Sequence, residues 1–176
     1  TETDSLDFTQ ANLVGLSVAT DEDNAYYIPV GHDYEGAPKQ LDRDEVLKKL
    51  KPIIEKTPLI GQHLKFDRNV LANYDIHLNA IENDTMLMSY VYDPTATRHN
   101  LDAMASHYLN VKTTTFEDVA GKGVKQLTFN QIPLKKASDY AAEDADITFR
   151  CYSHLKPALA KTPSLEKVLH EIELPL

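Results

Sequence analysis

The sequence predicts an α/β domain, a mixed central β-sheet covered by helices, and three observations carry that expectation. Short apolar runs of strand length alternate with segments of helical periodicity, the pattern of a layered α/β architecture. The 176 residues are enough for one domain with a sizeable core. No internal repeat, low-complexity tract or linker-like stretch divides them, so residues 1–176 are read as a single domain.

The elements follow in order. Asn12–Ala19 and Ala25–Val30 read as two strands around the acidic turn Asp21–Asn24. Asp42 is placed to cap an amphipathic helix that carries Val46, Leu47, Leu50, Ile53 and Ile54. Pro58–Ile60, short and followed by Gly61, reads as a buried strand, and a helix from Lys65 to Asn73 comes next. Ile76–Ile81 is a further candidate strand. Asp84 can cap a helix through Met86, Leu87 and Tyr90. More helix is expected over Asn100–Tyr108 and Lys136–Leu155, whereas Asp118–Asn130, with Gly121 and Gly123, reads as a loop.

Bulk properties narrow the function classes. A net charge of −9 argues against a stand-alone nucleic-acid binder, which usually carries a basic face. It leaves room for metal-dependent chemistry on a short strand, where divalent cations neutralise the reacting phosphate. No apolar run approaches the roughly 18 residues of a membrane span. The lone Cys151 reads as a small helix residue and fits a reducing compartment. His32, His99 and His107 lack metal-ligand spacing, and Gly121 and Gly123 do not make a phosphate-binding loop. Lys122 and Lys125 read as solvated or as phosphate contacts.

The informative residues are polar. Tyr140 and Asp144 lie one helical turn apart, so phenol and carboxylate share a face. Glu2 and Asp67 add carboxylates from distant segments, and three acids with a phenol suit two-metal phosphoryl hydrolysis. Thr1-Glu-Thr-Asp-Ser-Leu6, Gly61-Gln-His-Leu-Lys-Phe-Asp67 and Tyr140-Ala-Ala-Glu-Asp144 resemble the three motifs of the DEDD exonuclease superfamily, tyrosine branch. The similarity is strongest to the 3′→5′ proofreading domains of bacterial family A DNA polymerases. Asn83–Tyr90, Arg98–Asp102, Thr115–Gly123 and Gln126–Ile132 agree as well, so it spans essentially the whole chain.

The resemblance implies a ribonuclease H-like exonuclease fold and two divalent metal ions, Mg²⁺ with Mn²⁺ or Zn²⁺ as alternatives. It implies that Glu2 and Asp144 hold the metal that activates water, that Asp67 serves the second, and that Tyr140 orients the attacking water. Leu6 and Phe116 would form an apolar wedge at the terminal nucleotide. Phe66, Arg98 and His63 would contact the substrate, His63 standing where the family usually has asparagine. Asp84 is expected to be structural, and Glu143 and Asp146 to lie on other helix faces.

The implied substrate is a single-stranded or frayed 3′ end of DNA, beside a C-terminally attached polymerase domain in the bacterial cytoplasm, at the nucleoid. The family's first motif is Asp-x-Glu, with Thr1 at the x position. The sequence is therefore expected to be a piece of a longer chain, short of its opening strand and first aspartate, and nearly inactive as it stands. Two alternatives stay open: a silent structural module of a polymerase, and a related 3′→5′ exoribonuclease.

Overall fold

A computed structural model describes residues Thr1–Leu176. In chain order the elements are β1 (Glu2–Thr3), β2 (Leu13–Asp21), β3 (Asn24–Pro29), α1 (Arg43–Ile54), β4 (Leu59–Gly61), α2 (Leu64–Ala72), β5 (Ile81–Asp84), α3 (Thr85–Tyr92), α4 (Leu101–Met104), α5 (Phe116–Ala120), α6 (Leu134–Leu159) and α7 (Pro163–Val168). Wider π turns extend α4 over Ala105–Leu109 and α7 over Leu169–Glu173. No helix is long and apolar enough to cross a membrane.

The β2–β3 hairpin closes as its acidic turn predicts. Asp21 accepts hydrogen bonds from the Asp23 amide at 3.0 Å and the Asn24 side chain at 2.7 Å, an Asx-type closure. The register pairs Leu16 with Ile28 and Gly15 with Pro29. Gly15 is required by a close approach, because the Tyr27 ring lies where its Cβ would stand.

Helix ends follow their caps. Asp42 accepts from the Glu45 amide at 3.0 Å and opens α1. Leu47 is buried, and Val46, Leu50 and Ile54 pack beside it against Leu13, Val70, Leu71 and Ile76. Ile53, expected on that face, is instead 57% exposed.

Other expectations need correction. The expected strand at Ile76–Ile81 begins only at Ile81, because parallel pairing with β4 (Leu59 with Ile81, Gly61 with Asp84) gives partners to residues 81–84 alone. Pro58–Ile60 does form most of β4, but half-buried. Asp118–Asn130 is not one loop: its start belongs to α5, opened by a Thr115–Asp118 capping box. Two short 3₁₀ turns follow, and Phe129 in the second is buried. The helix at Lys136–Leu155 runs longer, from Leu134 to Leu159.

Antiparallel and parallel pairings both occur, as a mixed sheet requires, in two hydrogen-bonded pieces: β1-β2-β3 antiparallel and β4-β5 parallel. Leu16–Ala19 of β2 and Leu59–Gly61 of β4 line one cavity between the pieces. Helix α6 packs against β2 and β3. Its Ala137 and Ala141 sit against Val14, Phe129 and Ile132, where small side chains allow close approach. Its later residues Ile147, Cys151, Leu155 and Leu159 join Met88 and Met104 in the largest core cluster. Burying each large aliphatic side chain there contributes about 1.5–3 kcal/mol.

Candidate active site

One cavity of about 540 Å³ collects residues from both sheet pieces and from four helices, α1, α2, α4 and α6. Glu2 enters from β1, His63, Phe66 and Asp67 from the start of α2, and Asp144 from α6. Asp144 lies one turn after Tyr140, and the Tyr140 phenol faces its carboxylate. The structure thus brings together the three expected carboxylates and the expected phenol.

Asp84 fixes α2. Buried at 4% exposure, it accepts from the Leu64 amide at 2.7 Å and from the Met86 and Leu87 amides at 2.9 and 3.3 Å. One carboxylate therefore caps two helices, and Asp67 stands on the first turn of the one that enters the cavity. His63 precedes that turn with φ 58°, in the left-handed region. Asparagine, aspartate and histidine tolerate this region better than most residues. His63 is thus compatible with the family asparagine in backbone geometry, and it is an exposed residue of the cavity lining.

Burial and mutual repulsion set the electrostatics. Burial, with the Asp144 and Asp67 charges behind it, pushes the Glu2 carboxyl up to about 8 against the pull of the Thr1 ammonium. Burial raises Asp144 to about 7; the Tyr140 hydroxyl opposes this, while Asp102 and Glu143 add to it. The Tyr140 phenol is pushed above its ordinary value by burial and by Asp144, so it stays neutral at pH 7.

Four neighbours outside the expected site residues support this end. Asp102 accepts from Thr113 Oγ1 at 2.6 Å, and Glu143 accepts from the Thr114 amide at 2.8 Å, so the segment before α5 pins both acids. Tyr27, whose hydroxyl lies 2.8 Å from His32 Nε2, feels the Glu2 charge and packs edge-on to Phe129. Phe129 and Phe116 hold the Tyr140 ring at 6.1 and 6.2 Å between centroids. Only the spacing of aromatic residues in Phe116–Tyr140 hinted at that cradle.

The expected substrate contacts are spread more widely. Phe116 stands beside Tyr140 at 36% exposure and Leu6 is 94% exposed; both lie outside the cavity lining. Arg98 lies exposed in the loop before α4.

Divalent cations suit the donor chemistry: hard carboxylate oxygens, largely buried, whose repulsion an added positive charge would relieve. Thr1 Oγ1 is also buried without a hydrogen-bond partner in this cavity. As the side chains stand, however, no three His, Cys, Asp or Glu groups converge on a single ion position. The expected ligands Glu2, Asp67 and Asp144 share the cavity without closing into a triad.

An α/β layer with acids from three segments at one cavity, and a tyrosine facing one of them, defines a domain of the nuclease class. A family model described as 3′-5′ exonuclease matches residues 1–160, and the chain belongs to that family. Members of it generally depend on divalent metal. DNA polymerase I of Pseudomonas aeruginosa is 53% identical over all of this chain, and that of Rhizobium leguminosarum is 36% identical over all of it. The chain spans 20% and 19% of those two relatives, about a fifth of their length. Two solved structures share the fold at 20% identity. One is the POL domain of Pol1 from M. smegmatis in complex with DNA primer-template and dNTP (TM-score 0.64, 94% of this chain, 24% of that one). The other is Brucella melitensis NrnC (TM-score 0.65, 96% of this chain, 77% of that one).

Proposed function

We propose that this exonuclease domain removes mismatched nucleotides from the 3′ end of DNA, as the proofreading part of a DNA polymerase I. The observation that carries the reading is the meeting of Glu2, Asp67 and Asp144 from three distant segments in one cavity, with the Tyr140 phenol facing Asp144. Glu2 and Asp144 would hold one divalent cation and Asp67 a second. When bound, such cations supply Lewis acidity at the phosphoryl group and neutralise charge on the attacking and leaving oxygens.

The chain's own residues do the rest. Tyr140, neutral and braced by Phe116 and Phe129, orients the attacking water by hydrogen bonding and is too weak an acid to serve as its base. Phe66 and Phe116 offer apolar faces to a terminal base, and contact of that kind is tolerant of sequence. His63 and Arg98 would bind the phosphates or sugar. Mismatched ends melt more readily and so enter a single-strand site more often.

The test is a 5′-labelled single strand incubated with Mg²⁺ and the full-length protein. A ladder shortening from the 3′ end, lost with chelator and with Asp144→Ala, is the expected result. An intact oligonucleotide would sink the reading in favour of a silent fold, and preferential cleavage of RNA would redirect it to an exoribonuclease.

A further inference from the structure

The loop between α3 and α4 reaches the cavity rim through a hydrogen-bonded arrangement that the roles above leave unused. At its end His99 holds φ 60°, uncommon for a residue other than glycine. Its side chain is fixed at both nitrogens. Nε2 lies 3.1 Å from the Pro94 carbonyl oxygen, which can only accept, so Nε2 carries the proton. Nδ1 therefore accepts from Ser89 Oγ at 2.7 Å, and Ser89 in turn accepts from the Tyr108 hydroxyl at 2.9 Å. Tyr90 closes the ring edge-on at 5.8 Å between centroids. Ser89 is fully buried, so this serine–histidine pair is closed to substrate and serves no nucleophilic chemistry.

The His99 backbone faces the other way. Its carbonyl accepts from Gln62 Nε2 at 2.9 Å, and Gln62 Oε1 accepts from the fully buried Thr85 hydroxyl at 2.5 Å. Gln62 and His63 both line the cavity, and so does Leu101, two residues beyond His99. One residue thus ties helix α3, the loop carrying Arg98 and the segment carrying His63 and Asp67.

We propose that His99 is a positioning residue for substrate: its locked imidazole holds Arg98–Asn100 against Gln62, so that Arg98 and His63 present one rim to the DNA strand. This rests on the reading of the cavity as a site for a 3′ end. The experiment compares His99→Gly, His99→Asn and Ser89→Ala in the full-length protein. Glycine keeps the left-handed backbone and drops the side chain. Asparagine tolerates that backbone, and its amide oxygen stands near the position of Nδ1, within reach of Ser89.

Three quantities are read: steady-state kinetics on a single strand, binding of a 3′-terminal oligonucleotide without catalysis, and amide exchange over residues 94–100. For His99→Gly and Ser89→Ala, KM and the dissociation constant should each rise about tenfold, with kcat within about twofold of wild type. Exchange in the loop should quicken in the same two variants. His99→Asn should recover most of the affinity and the protection. Unchanged KM and affinity in the first two variants, or a fall confined to kcat, would overturn the proposal. If the wild type neither binds nor cleaves 3′ ends, the reading of the cavity fails. Loop exchange still decides the positioning role in that case, and unchanged exchange in His99→Gly and Ser89→Ala overturns it.

Discussion

Helix α6 has two halves with opposite characters. The first carries Tyr140, Glu143 and Asp144, partly exposed polar residues gathered where charges repel. The second carries Cys151, Leu155 and Leu159, buried with almost no exposed surface among Met88, Met104 and Leu169. The acid of the first half is unfavourable for the folded state, and apolar burial along the helix offsets it. A single rigid helix thus lets a stable core hold acids in a place they would not choose, the separation expected of a pre-organised site.

Four changes break or sharpen that contrast. Asp144→Ala should cost the polar half its activity, on the order of 10³-fold in exonuclease rate, about 4 kcal/mol of transition-state stabilisation. Its melting temperature should not fall, because the substitution removes a repelled buried acid. A variant that melts much earlier than wild type would mean Asp144 is structural. Leu155→Ala should do the reverse, costing roughly 2–5 kcal/mol in denaturant unfolding while the folded fraction keeps its kcat.

The third change is pH, and its sign follows from the raised acids. Folded Glu2 and Asp144 keep their protons up to about 8 and 7, whereas the unfolded chain releases them near 4.5 and 3.8. Between those limits the folded state binds more protons, so stability falls as pH rises. The metal-free chain should lose on the order of a few kcal/mol between about pH 4 and pH 8. Mg²⁺ should restore more of it at pH 8 than at pH 5. A melting temperature flat across that range, with or without Mg²⁺, would contradict the electrostatics described for the cavity.

The smallest effect is expected from Tyr140→Phe. It keeps the ring between Phe116 and Phe129 and loses only the hydroxyl, so the rate should drop roughly 10- to 100-fold with stability unchanged. A rate equal to wild type would leave Tyr140 as packing alone.

Local chemistry was legible in the sequence wherever its partner lies within a few residues. Asp42 announced α1, Asp84 announced α3, and Asp21–Asn24 announced the hairpin, because caps and Asx turns close over short spans. The motif order placed Glu2, Asp67, Tyr140 and Asp144 as candidates, and the fold brings the three acids to one cavity with Tyr140 facing Asp144. What required the tertiary structure depends on distant partners. Asp84 also caps α2, twenty residues earlier, and residues 76–80 stay out of the sheet because β4 offers pairing only to residues 81–84. The left-handed backbone at His63, the aromatic cradle around Tyr140 and the Gln62–His99 tie likewise need segments far apart in the chain to meet. A capping preference is encoded by one residue and its near neighbours, whereas a buried charge or a ring contact exists only after the chain has closed on itself.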